Sequence, residues 1–145
     1  MKTLTIQQPW ATLIALKAKR YETRSWFTHY RGPLAIHASK EFNMQARRLC
    51  RSEPFASALL GNVDLPTGCI IAVCELTAIF PTSPKKDELP IRLPDEEFSK
   101  SEMAFGDFSP GRFAWYLTNV RAFEHPIPAR GAQGLWEWNE QLITI

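Results

Sequence analysis

The sequence predicts a single α+β domain over residues 1–145, with about six strands and two or three helices covering the ends of the sheet. Three observations predict it. Short runs rich in Ile, Val, Leu and aromatics recur at strand length; other segments carry apolar residues at helical spacing; and no linker, repeat or low-complexity tract divides a chain of ordinary single-core length. A hydrophobic fraction of 45% suffices for such a core. These elements fit a small closed or nearly closed barrel, although periodicity alone also admits other α+β arrangements.

Taken in order, Lys2 to Ile6 alternates and stops before Gln7-Gln8-Pro9, which reads as a strand running into a turn. Pro9 suits the first helical position, and Trp10, Leu13, Ile14 and Lys17 follow at the spacing of a two-turn helix. Trp10 is expected as a core anchor. A strand from Arg20 to Trp26 places Glu22, Arg24 and Trp26 on one face, where Glu22 and Arg24 can pair; the face of Lys19 is left open. Gly32-Pro33 turns the chain into a second strand, Leu34 to Ala38. Ser39 is an expected N-cap for a helix over Lys40 to Arg51, with Arg47, Arg48 and Arg51 off its apolar stripe.

Phe55 to Leu60 reads as a short helix ended by Gly61-Asn62, and Cys69 to Ala78 as a central strand. Pro94 and the acidic Asp95-Glu96-Glu97 suggest the start of a helix ending near Gly106, with Phe105 and Phe108 anchoring a crossover. Phe113 to Val120 is expected as one strand and Arg121 to Pro128 as part of the next. Trp136 and Trp138 then share a face of a short strand and close the core.

The stretch from Lys17 to Ala38 has the composition of a site, since it sets cations, one carboxylate, aromatics and a Gly-Pro turn between two apolar runs. Charge is unevenly spread. Lys17 to Arg51 carries nine Lys or Arg against two carboxylates, and Glu75 to Asp107 carries four against eight, although the chain as a whole is only +2. A basic face able to hold a polyanion is the expectation. Cys50, Cys69 and Cys74 show no disulfide or zinc spacing and are expected reduced and buried. The chain contains no phosphate-binding Gly-Lys loop, no His-Glu-x-x-His zinc helix and no Gly-x-Ser-x-Gly elbow. No metal or other cofactor is expected. With no apolar run of membrane length and no leader-like N-terminus, a cytoplasmic protein without membrane contact is the simplest expectation.

The string Lys19-x-x-Glu22-x-Arg24, followed by Ser25-Trp26 and by Tyr30-Arg31-Gly32-Pro33-Leu34-Ala35-Ile36-His37-Ala38, resembles the ASCH domain family. Ile6-Gln7-Gln8-Pro9-Trp10-Ala11, Pro110-Gly111-Arg112-Phe113-Ala114-Trp115 and the run from Pro126 to Trp138 extend the resemblance over nearly the whole chain. It implies a small PUA-like β-barrel with helices covering its ends. One departure stands out. The family's usual Gly-x-Lys-x-x-Glu-x-Arg has Lys17 where the glycine is expected, which implies a differently shaped turn into the strand and an added cation.

Two functions follow as expectations. The first is binding of RNA or another single-stranded nucleic acid, or of a modified nucleoside, as the resemblance also implies. Lys17, Lys19, Arg24, Arg31 and Lys40 would meet phosphates, Trp26 and Tyr30 would stack on bases, and Gln7, Ser25 and His37 would supply hydrogen bonds. The second is hydrolysis of RNA or of an acylated nucleoside, with Lys19 and Glu22 as candidate catalytic residues. The family includes amidohydrolases acting on N4-acetylcytidine, which use a Lys and a Thr three residues later; Lys19 matches the first, but Glu22 stands in place of the second.

Overall fold

The computed structural model describes residues 1–85 and 100–139. Within them, six strands form one sheet in the order β2-β5-β4-β3-β1-β6. The strands are β1 (Lys2–Ile6), β2 (Tyr21–Arg24), β3 (Gly32–Ala38), β4 (Cys69–Pro81), β5 (Phe113–Pro128) and β6 (Leu135–Glu137). Only β1 and β3 run parallel; the other neighbours are antiparallel. Four short helices accompany them among the described residues: α1 (Trp10–Ala15), α2 (Met44–Leu49), α3 (Phe55–Ala58) and α4 (Lys100–Phe105). The fold is the small α+β PUA-like class expected, with six strands and short helices; the sheet forms a half-barrel where a closed or nearly closed one was expected.

The curl of the sheet comes from its two longest strands. β4 and β5 pair with register shifts between Ile70 and Ala72, between Val73 and Glu75, and between Leu76 and Ala78. Each irregularity bends a strand and increases its twist. At the middle one Asn119 takes φ +52°, a left-handed conformation that asparagine tolerates better than most residues. Phe113 to Pro128 is consequently one sixteen-residue bent strand and not the two strands expected from sequence. The bending brings edge strand β2 back toward β1, where the Arg24 Nη2 donates to the Thr5 carbonyl at 2.8 Å. A side chain thus bridges two strands that are not neighbours in the sheet.

Two apolar clusters flank α1. Leu4, Ile6, Ile14, Leu34, Ile36, Leu76 and Trp115 form one cluster between the sheet and α1. Leu13, Cys50, Phe55, Leu59, Leu65 and Phe105 join the helices to one another. Full burial of a side chain such as Leu13 or Phe105 contributes about 1.5–3 kcal/mol. Trp10 packs against both clusters and meets Phe55 edge-on at 6.3 Å, as a core anchor should. Trp138 and Trp136 belong to a further cluster with Ala35 and Ile70. All three cysteines are free and buried.

The expected helix over Lys40 to Arg51 starts later, at Met44. Asn43 caps it by accepting from Ala46 N at 2.8 Å, a role Ser39 was expected to fill. Phe42 therefore lies ahead of the helix, where the Arg47 guanidinium covers its ring at 4.2 Å. Phe105 and Phe108 are buried anchors, but the expected helix start at Pro94 with Asp95 to Glu97 lies outside the described residues. No helix among the described residues is long and apolar enough to cross a membrane.

Helix α1 ends in a Schellman motif. Ala18 N donates to Leu13 O and Lys17 N to Ile14 O, each at 2.9 Å, while Lys17 takes φ +65°. This is the position at which the resemblance led us to expect glycine. The turn keeps a conformation that glycine favours, with a lysine strained into it. Lys17→Gly should raise the unfolding free energy by about 0.5–1 kcal/mol, because left-handed strain exceeds glycine's extra chain entropy. Urea denaturation checks this, and unchanged or lower stability would show the strain to be absent.

Candidate functional site

The tight turn after α1 delivers Lys19 into the interior. Its Nζ donates to the Phe105 carbonyl at 3.0 Å and lies 3.7 Å from Glu22 Oε1; the residue is only 1% exposed. The open question of its face is thereby answered: it lies inward, beneath Glu22. Burial holds the Lys19 pKa below its usual value, opposed by the charges of Glu22 and Glu102.

Glu22 is shared between two cations. Its Oε2 accepts from Arg24 Nε at 3.0 Å and lies 2.9 Å from Nη2, while Oε1 faces Lys19. The expected Glu22–Arg24 pair is present, with alternation along β2 placing both on one face. Arg24 also grips Thr5 O, so its Nε and Nη2 are occupied; Nη1 makes no hydrogen bond to any described residue. Glu102 of α4 is buried nearby, accepts from the Arg20 amide through Oε1, and has its pKa raised by burial.

Above this trio a cleft of about 450 Å³ opens. Ile6, Trp10 and Phe105 supply apolar wall; Gln7, Glu22, Arg24 and Arg112 supply polar groups. Its size is within the range of about 300–1,000 Å³ usual for small-ligand sites. Arg112 holds the turn before β5 by donating from Nε to Asp107 O at 3.0 Å and from Nη2 to Thr23 O at 3.3 Å. Thr23 Oγ1 accepts from Asp107 N at 3.0 Å. Sequence reasoning passed over Arg112 as a site residue, although the Pro110-Gly111-Arg112 run pointed to it.

The remaining candidates divide. Trp26 packs edge-on against Trp115 at 4.8 Å and borders a second compartment with Gln7 and Arg24. His37 and Lys40 border a third. His37 is buried, with Nε2 2.7 Å from Ala129 O and Nδ1 3.2 Å from Thr5 Oγ1, and burial lowers its pKa. Ala129 O can only accept, so Nε2 carries a proton, and with burial disfavouring the charged ring Nδ1 accepts from the Thr5 hydroxyl, whose oxygen also accepts from Trp136 Nε1 at 3.0 Å.

Lys17, Ser25, Tyr30 and Arg31 border none of these three compartments. The Tyr30 hydroxyl donates to Pro33 O, and Arg31 Nη1 donates to the carbonyls of Thr28 and Tyr30 at 2.8 and 2.7 Å. Arg47, Arg48 and Arg51 line a separate groove with Met44, Val63 and Asp64. Among the described residues, no three His, Cys, Asp or Glu side chains come together as metal ligands.

A coiled mixed sheet with a polar cleft at the junction of β2, α1 and the turn before β5 makes this a PUA-like domain. Residues 4–127 match the ASCH domain, and the chain belongs to the ASCH domain family. It is 32% identical over 144 residues to human activating signal cointegrator 1, covering 96% of this chain and 22% of that protein. The mouse activating signal cointegrator 1 is 24% identical over the same coverage. The chain therefore spans about a fifth of the length of these curated relatives.

Proposed function

We propose that this protein binds single-stranded RNA through the cleft at the Gln7, Glu22 and Arg24 corner. The observation that carries the reading is the state of Arg24. Its guanidinium is locked by Glu22 and Thr5, yet Nη1 has no hydrogen-bond partner among the described residues, on a side chain bordering an apolar-walled cleft. A pre-oriented guanidinium loses little entropy on meeting a phosphate. The Gln7 side-chain amide makes no hydrogen bond to a described residue and borders the cleft, where it can read a base edge, and Trp10 offers an aromatic wall. Membership of a family whose domains resemble RNA-binding PUA domains supports the same reading.

Hydrolysis fits the geometry less well. Lys19 lies under the cleft floor with its ammonium against Glu22 and a carbonyl, and the Thr23 hydroxyl already accepts a backbone amide. The test is fluorescence anisotropy of a labelled mixed-sequence single-stranded RNA across salt. Two or three phosphate contacts predict a loss of about 7- to 20-fold in affinity from 50 to 200 mM salt. Salt-independent binding, or none, sinks the proposal; RNA shortening or deacetylation of N4-acetylcytidine in parallel mixtures would replace it with a hydrolase.

A further inference from the structure

The cleft is one end of a longer track. The main compartment and the second one, of about 640 Å³, share Gln7 and Arg24. The second and a third, of about 690 Å³, share Thr5, Ser39, Glu41, Ala132 and Gln133. Arg24 stands at the first junction, its Nη1 without a hydrogen bond to any described residue, and Lys40 and Arg130 border the far compartment. A single nucleoside would occupy only one of these spaces. We infer that the ligand is an oligonucleotide of two or three residues, with a linking phosphate at Arg24 and the neighbouring nucleotides along the loop from Ala129 to Gly134. This rests on the nucleic-acid reading above and narrows it from single-stranded RNA in general to the two or three nucleotides that the track holds.

That loop is built as a fixed wall. His37 Nε2 holds the Ala129 carbonyl, and His37 Nδ1 is held by Thr5, which is held in turn by Trp136. Gly131 lies so close that a Cβ there would stand 2.7 Å from His37 Cε1 and 2.9 Å from Thr5 Oγ1. Only a residue without a side chain lets the loop sit against the imidazole. His37 is on this account a positioning residue, holding the wall of the second and third compartments without touching the first.

The test is competition binding with equimolar mixed-sequence RNAs of one, two, three and four nucleotides. Affinity should rise at least tenfold from one to three nucleotides and then level off. In Gly131→Ala the trinucleotide should lose most of its advantage over the mononucleotide, whose affinity should change by less. Gln133→Ala, which adds no bulk, should weaken the trinucleotide more than the mononucleotide. Equal affinity for one and three nucleotides overturns the track, as does equal weakening of both ligands in either variant. Absence of binding at every length overturns the nucleic-acid reading itself.

Discussion

Glu22→Ala is expected to lower the unfolding free energy by about 3–5 kcal/mol, the usual consequence of leaving a buried charge without its partner. Lys19 is the charge left behind, 1% exposed, with the Phe105 carbonyl as its one remaining hydrogen-bond acceptor among the described residues and Glu102 acting on it only through its field. The loss should depend on pH in a defined direction. Burial lowers the folded-state pKa of Lys19 below the unfolded value, so the unfolded chain binds more protons between those two pKa values. Stability therefore rises with pH through that window, up to the ordinary lysine value of 10.5. Removing Glu22 lowers the folded pKa further and widens the window. Urea denaturation at pH 7 and at pH 10 checks both parts: the deficit of Glu22→Ala should be smaller at the higher pH. The paired variant Lys19→Met with Glu22→Gln should be much milder than Glu22→Ala, since it removes the buried cation as well. A small, pH-independent deficit in Glu22→Ala would mean that Lys19 finds another partner.

Arg24→Ala should reduce affinity for single-stranded RNA by about 10- to 150-fold, the range corresponding to about 1.5–3 kcal/mol for a charge-assisted hydrogen bond. It should also cost about 1–3 kcal/mol of stability, because Thr5 O loses its donor and Glu22 loses one of two cations. Anisotropy titration and urea denaturation on the same preparations separate the two effects. Arg31→Ala is the control. Arg31 is spent on the carbonyls of its own turn and borders none of the three compartments, so its removal should change affinity less than twofold. Equal losses in the two variants would indicate binding by diffuse surface charge.

Much of the local structure was legible because short-range patterns carry it. Alternation along Lys2 to Ile6 and β-branched content in Cys69 to Ala78 gave strands close to those observed, and the β4 strand only runs further. The Glu22–Arg24 pair was legible for the same reason, two residues apart on one strand face. Helix α2 was misjudged at its start, since Ser39 and Asn43 are both good caps and the choice lies with packing around Phe42 and Ala46. The long β5 was divided at Arg121 because a bulge at Asn119 looks like a strand end in sequence and is only a bend in the sheet.

The candidate site was legible in part. Cations, amides and aromatics within Gln7 to Lys40 were identified by type, but type does not say which ones converge. Tyr30 and Arg31 turn out to serve their own loop, whereas Arg112, more than eighty residues from Arg24, comes to the same cleft.

What the sequence by itself determined is the α+β class, most strand positions, the ASCH relationship and the pairing of Glu22 with Arg24. These rest on spacing of a few residues and on motif order. Only the tertiary structure decided that Lys19 is inside, that Arg24 ties β2 to β1, and that His37 supports a loop. Each depends on how distant elements meet: the turn after α1 sends Lys19 inward, strand pairing sets His37 beside Thr5, and the Arg24 bridge follows from the curl of the sheet where bulged β4 and β5 pair. A long-range curvature of that kind sets which distant side chains meet, and it leaves no periodic mark on the chain.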